Sequence, residues 1–148
     1  MENKTELVAP CGIYCGICPV YIADKGKIES LKEGIAAAFS VSVGEVCCDG
    51  CRSGRVFLTD ADCTVKPCVA AKGLDGCYEC DEFPCHNIED RLEPVRRAIL
   101  RSVPALKEVG IEDFPAHEEA HYRCPHCGCR LHMAAQQCPD CQSAVDLD

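Results

Sequence analysis

Apolar residues recur at helical spacing in two stretches of this 148-residue chain. Ile28, Leu31, Ile35 and Phe39 share one face of a predicted helix that follows the Lys25-Gly26 break, is favoured by Ala36, Ala37 and Ala38, and stops in the Ser40 to Gly44 stretch. Ile88, Leu92, Val95 and Ile99 mark a second stripe, on a helix expected to bend at Pro94. A further short helix is expected from Pro104, with Ser102 as its cap and Gly110 as its end. Between the stripes, Val56-Phe57-Leu58 reads as a short strand. Thr59, Asp60 and Asp62 then cap a helical stretch to Lys72, with Gly73 as its stop and Pro67 in its first turn or at a kink. Residues 1–10 read as an extended arm. The stretch 116–121 has little apolar content and no pattern, so it is taken as a linker between a domain at 1–115 and a module at 122–148.

Composition changes this picture. The 47% apolar share counts sixteen cysteines, and without them it falls well below the roughly 45–50% of an ordinary domain. Leu, Ile, Val and Phe supply 33 residues, too few for two cores without staples. The N-terminal sequence lacks an apolar run of signal-peptide length, and no segment approaches the roughly 20 apolar residues of a membrane span. The expected location is therefore cytoplasmic, with no membrane association. In a reducing cytosol the five Cys-x-x-Cys pairs suit metal-bound thiolates better than disulfides. The net charge of −9 argues against general nucleic-acid binding, which needs a basic face. Arg91, Arg96, Arg97 and Arg101 recur at helical spacing, but Glu89, Asp90 and Glu93 among them make this a salt-bridged, solvated face.

The cysteines carry the chemistry. Cys11, Cys15 and Cys18 sit in a tight loop that closes at Pro19, and glycines beside Cys11 and Cys15 leave backbone N–H groups free to point at sulfur. Cys48 and Cys51 form a knuckle that, with Cys63 and Cys68, has the spacing of a finger-like zinc site. That grouping leaves Cys11, Cys15, Cys18, Cys77, Cys80 and Cys85 for one ion with two spares, or for two ions with bridging sulfurs. The competing arrangement joins Cys48 and Cys51 to Cys77 and Cys80 and leaves Cys63 and Cys68 over. The most specific signal is at the C-terminus, where two Cys-Pro-x-Cys turns, Cys124/Cys127 and Cys138/Cys141, have the spacing of a short zinc ribbon on a β hairpin. Cys129 and His132, between the turns, read as spare residues. The predicted fold is thus a small, metal-stabilised, mostly α N-terminal domain with cysteine knuckles, plus a C-terminal β zinc ribbon.

The ion of the N-terminal sites is open on spacing alone, because Cys-x3-Cys-x2-Cys followed by Pro also suits an iron–sulfur cluster. The same spacing belongs to the cluster loop of radical S-adenosylmethionine enzymes. Those enzymes build on partial or full barrels, and barrels run to roughly 200 residues or more; only about 115 precede the linker here, with no alternating strand and helix pattern. No nucleophile elbow, phosphate loop or paired-carboxylate pattern is present, so the chain reads as a binding protein rather than an enzyme.

Cys-Gly-Ile-Tyr-Cys-Gly-Ile-Cys-Pro at 11–19, Cys-Asp-Gly-Cys-Arg at 48–52, Cys63 and Cys68 before Val-Ala-Ala-Lys-Gly, and Cys-Tyr-Glu-Cys-Asp-Glu-Phe-Pro-Cys at 77–85 carry a family likeness. Over residues 10–90 the chain resembles the prokaryotic cysteine-rich family called domain of unknown function thirty-seven ninety-five. The resemblance implies a metal-binding role in which these ten cysteines act as a set, with Cys47 an addition, and implies no activity. The expected function is that of a cytoplasmic zinc-binding protein, a protein-interaction or adaptor module whose partner is another protein. The alternative is an iron–sulfur redox or sensor protein, with the cluster held by Cys11, Cys15, Cys18 and one of Cys77, Cys80 or Cys85.

Overall fold

The computed structural model describes residues 4–57 and 63–147. Leu58, Thr59, Asp60 and Asp62, read above as strand end and caps, lie outside the described residues. The described chain is mostly helical, with α1 (Pro19–Lys25), α2 (Glu29–Phe39), α3 (Val65–Lys72), α4 (His86–Glu89), α5 (Val95–Val109) and α6 (Phe114–His121). One-turn 3-10 helices stand at Lys4–Leu7, Cys15–Ile17, Val43–Glu45 and Cys77–Glu79.

The core gathers on α5. Ala98, Ile99, Ser102, Val103 and Leu106 lie on one face and are all buried. They pack against α4, α6 and the Cys77–Glu79 turn, together with Val8, Tyr14, Ile17, Phe114 and Tyr122. A smaller core joins α1 to α2 through Val20, Ala23, Ile35, Ala36 and Val46. Asp24 ties it to the second knuckle by accepting from the Cys48 N–H at 3.1 Å and from Arg55 at 2.8 Å.

Helix α2 forms where expected, but only Leu31 and Ile35 of its stripe pack inward, since Ile28 stands just before the helix and Phe39 is exposed; α3 ends at Gly73 in the left-handed conformation with φ 68°. Helix α1 was not anticipated, because Pro19 was read as the end of the cysteine loop. Proline also suits the first turn of a helix, where its missing N–H costs nothing, and α1 starts there. The second stripe is corrected too. Residues 90–94 break it into α4 and α5, and Leu92, expected on its buried face, is 84% exposed. Pro104 starts no new helix and lies inside α5. Both Pro104 and Leu100, the residue whose carbonyl loses its helical donor, are on the exposed side, where that loss is cheapest.

The segment 116–121, expected as a linker, is the body of α6. Phe114, Glu118 and Tyr122 recur every fourth residue and are fully buried. The charged middle member hid the stripe from a hydrophobicity pattern. Glu118 is satisfied inside the protein by the Arg101 guanidinium, which contacts it directly, and by the Ser102 hydroxyl at 3.3 Å. The C-terminal module packs against the rest. The Met133 N–H donates to the Ile17 carbonyl at 2.8 Å, Arg130 to the Gly16 carbonyl at 2.5 Å, and the Leu131 N–H to the Tyr122 carbonyl at 2.9 Å.

Two glycines of the first cysteine loop are fixed by crowding. Gly12 has φ 97°, and a Cβ there would stand 2.6 Å from Val103 Cγ2 on α5. At Gly16 a Cβ would meet the Tyr14 ring at 2.3 Å, and that ring cannot retreat because Tyr14 is buried and its hydroxyl donates to Glu119 at 2.8 Å.

Candidate metal centre

Each C-terminal turn is built the same way. In the first, the Cys124 N–H donates to the Cys129 carbonyl at 2.8 Å and the Gly128 N–H closes on the Cys124 carbonyl at 2.9 Å, with Gly128 at φ 79°. In the second, the Cys138 N–H donates to the Ser143 carbonyl at 2.9 Å and the Gln142 N–H closes on the Cys138 carbonyl at 2.9 Å, with Gln142 at φ 61°. Isolated antiparallel bridges, Arg123 with Arg130 and Gln137 with Ala144, frame the two turns. The expected β hairpin forms no strand among the described residues and is reduced to these two bridges, with the Leu131 N–H on the Tyr122 carbonyl at 2.9 Å and the Val145 N–H on the Gln136 carbonyl at 3.0 Å.

The four sulfurs of Cys124, Cys127, Cys138 and Cys141 lie within 4.8 Å of one another, an arrangement that can hold a metal ion. Cys124 and Cys141 are 3.6 Å apart and Cys127 and Cys138 3.5 Å apart. A tetrahedron with metal–sulfur bonds of about 2.3 Å has edges of about 3.8 Å, close to both separations. Backbone N–H groups two residues on reach the sulfurs, from His126 to Cys124 at 3.4 Å, from Cys129 to Cys127, from Asp140 to Cys138 and from Ser143 to Cys141. The Ser143 hydroxyl, 3.4 Å from the Cys141 sulfur, and the Ser143 N–H hold that thiol down at about 6. Donors aimed at sulfur favour thiolate, the form that binds metal. Cys129 points to the Arg130 carbonyl at 3.3 Å and His132 Nδ1 accepts from the Ala134 N–H at 3.1 Å, so both stay outside the group.

Ten of the eleven N-terminal cysteines, all but Cys47, fall into two neighbourhoods. Cys11, Cys15, Cys18, Cys48, Cys51 and Cys63 make up the first. The Cys15 thiol donates to the Cys51 sulfur, which brings Cys51 down to about 7 and raises Cys15. Burial pushes Cys11 up to about 12 and Cys18 up to about 11; Cys51 lies near both, Cys63 near Cys11 and Cys48 near Cys18. N–H donors from Ile13 and Val20 approach Cys11 and Cys18, and the Gly50 N–H lies 3.4 Å from the Cys48 sulfur. Cys68, Cys77, Cys80 and Cys85 make up the second neighbourhood and line one small cavity. Cys68, expected in a finger with Cys48, Cys51 and Cys63, lies on α3 beside Cys77, Cys80 and Cys85. Cys77 also touches the start of the first cysteine loop, its N–H donating to the Pro10 carbonyl at 2.7 Å.

Two cations beside sulfur escaped the sequence reading. Arg91 donates to the Cys63 sulfur at 3.2 Å, and the Lys72 ammonium lies 3.6 Å from the Cys80 sulfur. Lys72 stands one helical turn after Cys68, a spacing that was legible; Arg91 was hidden in a run of charges that does form surface pairs, Arg96 and Arg97 with Glu93. Among the described residues no helix is long and apolar enough to cross a membrane.

Comparison with curated proteins and with solved structures finds no match. The family comparison matches residues 7–90, which takes in all eleven N-terminal cysteines and stops short of the C-terminal turns. On that match the chain belongs to the family described as Protein of unknown function (DUF3795).

Proposed function

We propose that this is a zinc-binding protein whose C-terminal site holds one structural zinc and whose role is to bind a partner protein. The observation that carries the reading is the convergence of the sulfurs of Cys124, Cys127, Cys138 and Cys141. Four thiolates fill a tetrahedral ion and leave no open position for substrate, the mark of a structural rather than catalytic site. The partner reading is supported by a groove of about 740 Å³ between α1, α2 and the C-terminal module, with Ile28, Leu31 and Leu131 on its walls and Lys25 and Arg130 beside them. Because Lys25 is paired with Asp49 and Arg130 with the Gly16 carbonyl, the apolar wall sets the chemistry, which suits an apolar peptide segment. Anaerobic purification followed by elemental analysis tests the metal. Colourless protein carrying zinc supports the reading, and brown protein with iron and acid-labile sulfide overturns it. Selection of peptides from a random library on the full chain tests the groove, with Leu31→Asp expected to abolish capture; peptides indifferent to Leu31→Asp count against it.

A second reading keeps the C-terminal zinc and places an iron–sulfur cluster at Cys11, Cys15 and Cys18. It is supported by the N–H donors at Cys11 and Cys18. Its fourth ligand would come from Cys48, Cys51 or Cys63, the neighbours of that loop. Visible absorbance that bleaches with dithionite supports it; reconstituted protein with no band above the protein absorption ends it.

A further inference from the structure

We propose that Cys68, Cys77, Cys80 and Cys85 form a separate metal site that binds one zinc ion through four thiolates. The site shares no residue with the C-terminal group or with the six-cysteine neighbourhood, and it goes beyond the function proposed above.

Three segments bring these cysteines together. Cys77 and Cys80 sit at the two ends of one 3-10 turn, closed by the Cys80 N–H on the Cys77 carbonyl at 3.1 Å. Cys68 faces them from α3, and Cys85 stands at the start of α4. All four line a cavity of about 20 Å³ whose other walls include Val65, Val69 and Phe83. The four cysteines share this one cavity, and Cys77 lies near each of the other three.

Lys72 points to the same conclusion by a different route. Its ammonium reaches the Cys80 sulfur at 3.6 Å while it also pairs with Glu82. Four thiolates on one divalent ion leave a net charge of −2, which a lysine at the rim offsets. Packing of cysteines as small apolar residues accounts for Cys77 and Cys85 in the main core. It accounts for neither the ammonium against Cys80 nor the arrival of four sulfurs at one cavity. Among the described residues no three of these sulfurs lie within 4.8 Å of one another, in contrast to the C-terminal group. The site therefore closes on its ion by rotation of side chains, and it releases zinc to a chelator before the C-terminal site does.

The test uses the full chain loaded with zinc, graded additions of a zinc chelator, and a short pulse of a thiol-alkylating reagent read by peptide mass spectrometry. Cys68, Cys77, Cys80 and Cys85 are expected to lose protection together, with release of about one zinc, at lower chelator than Cys124, Cys127, Cys138 and Cys141. Cys80→Ala is expected to lose that zinc, to expose Cys68 and Cys85 to the reagent, and to leave the C-terminal four protected; Cys47→Ala changes none of this. Equal alkylation of Cys68, Cys80 and Cys85 with and without zinc overturns the proposal without recourse to a variant. So does Cys80→Ala protein with undiminished zinc, or acid-labile sulfide associated with these cysteines. Failure of the C-terminal reading shows instead in the peptides that carry residues 124–141, so the two are told apart in one experiment.

Discussion

The two cysteine-rich regions of this protein reach their geometry from opposite directions. At the C-terminus the buried residues are Cys124, Leu131, Cys138 and Val145, so half of that small core consists of the sulfur ligands themselves. In the N-terminal region Cys15, Cys63 and Cys77 are buried in a core that runs from Leu7 through α5 to Tyr122, but most of its members are aliphatic or aromatic side chains. On the function proposed above, ligation makes the fold in the first case, and in the second the fold sets where the cysteines stand. Cysteine spacing along the chain then reports local turns directly and long-range grouping only indirectly.

Cys138→Ser presses hardest on this contrast. Structural zinc is worth on the order of 10–16 kcal/mol in small fingers, more than the C-terminal module can replace from Leu131 and Val145. The variant is expected to lose about one zinc per chain and the slow amide exchange of residues 124–145, while the amides of α5 stay protected. Loss of protection in α5 would erase the contrast, and would mean that the bonds from Met133 and Arg130 to the 16–17 carbonyls make one cooperative unit.

Glu118→Ala attacks the fold that delivers the N-terminal ligands. It strands Arg101 against the core, and breaking a buried pair costs about 3 kcal/mol or more. Denaturant unfolding followed at α5 is expected to show that loss with zinc still bound at the C-terminal site. Smaller and more local is Gly12→Ala, which puts a methyl group against Val103 in a left-handed backbone. A cost of about 2 kcal/mol is expected, with faster alkylation of Cys11 and Cys15 and no change at Cys138.

Asp24→Asn gives the smallest effect. The Arg55 guanidinium, aided by the Cys48 N–H, holds the Asp24 carboxyl down at about 2. A depressed carboxyl stabilises the fold above its unfolded value near 4, and that contribution is lost as pH falls from about 4 through about 2. Half-exposed Arg55 weakens the pair, so about 1 kcal/mol is expected at neutral pH. Wild type and variant should converge in stability below about pH 2; curves that stay parallel to the lowest pH would show that Asp24 is not clamped.

What was legible in the sequence follows the same division. The convergence of Cys124, Cys127, Cys138 and Cys141 could be anticipated because two similar short turns carry them. Helices α2 and α3 could be named because their stripes or stops are local. Helix α6 could not, since its buried face carries Glu118, and a charge paired within the core reads as solvent-facing until its partner is known. The meeting of Cys68 with Cys77, Cys80 and Cys85 at one cavity was equally out of reach, because spacing along the chain does not say which way α3 carries its cysteine. Pro19 and Pro104 misled for a simpler reason. A proline's effect on a helix depends on which turn it occupies and which side faces water, and neither is a property of the residue alone.

Tyr14 and Gly16 occupy one space. The ring at 14 fills the volume that any side chain at 16 would need, and its bond to Glu119 on α6 holds it there. The two positions therefore form a single inherited character. A lineage that places a side chain at 16 must first give up the aromatic at 14, and with it the brace between the first cysteine loop and α6. Change at 16 is closed while the aromatic stands at 14, so the turn between Cys15 and Cys18 is guarded by a residue outside the cysteine set.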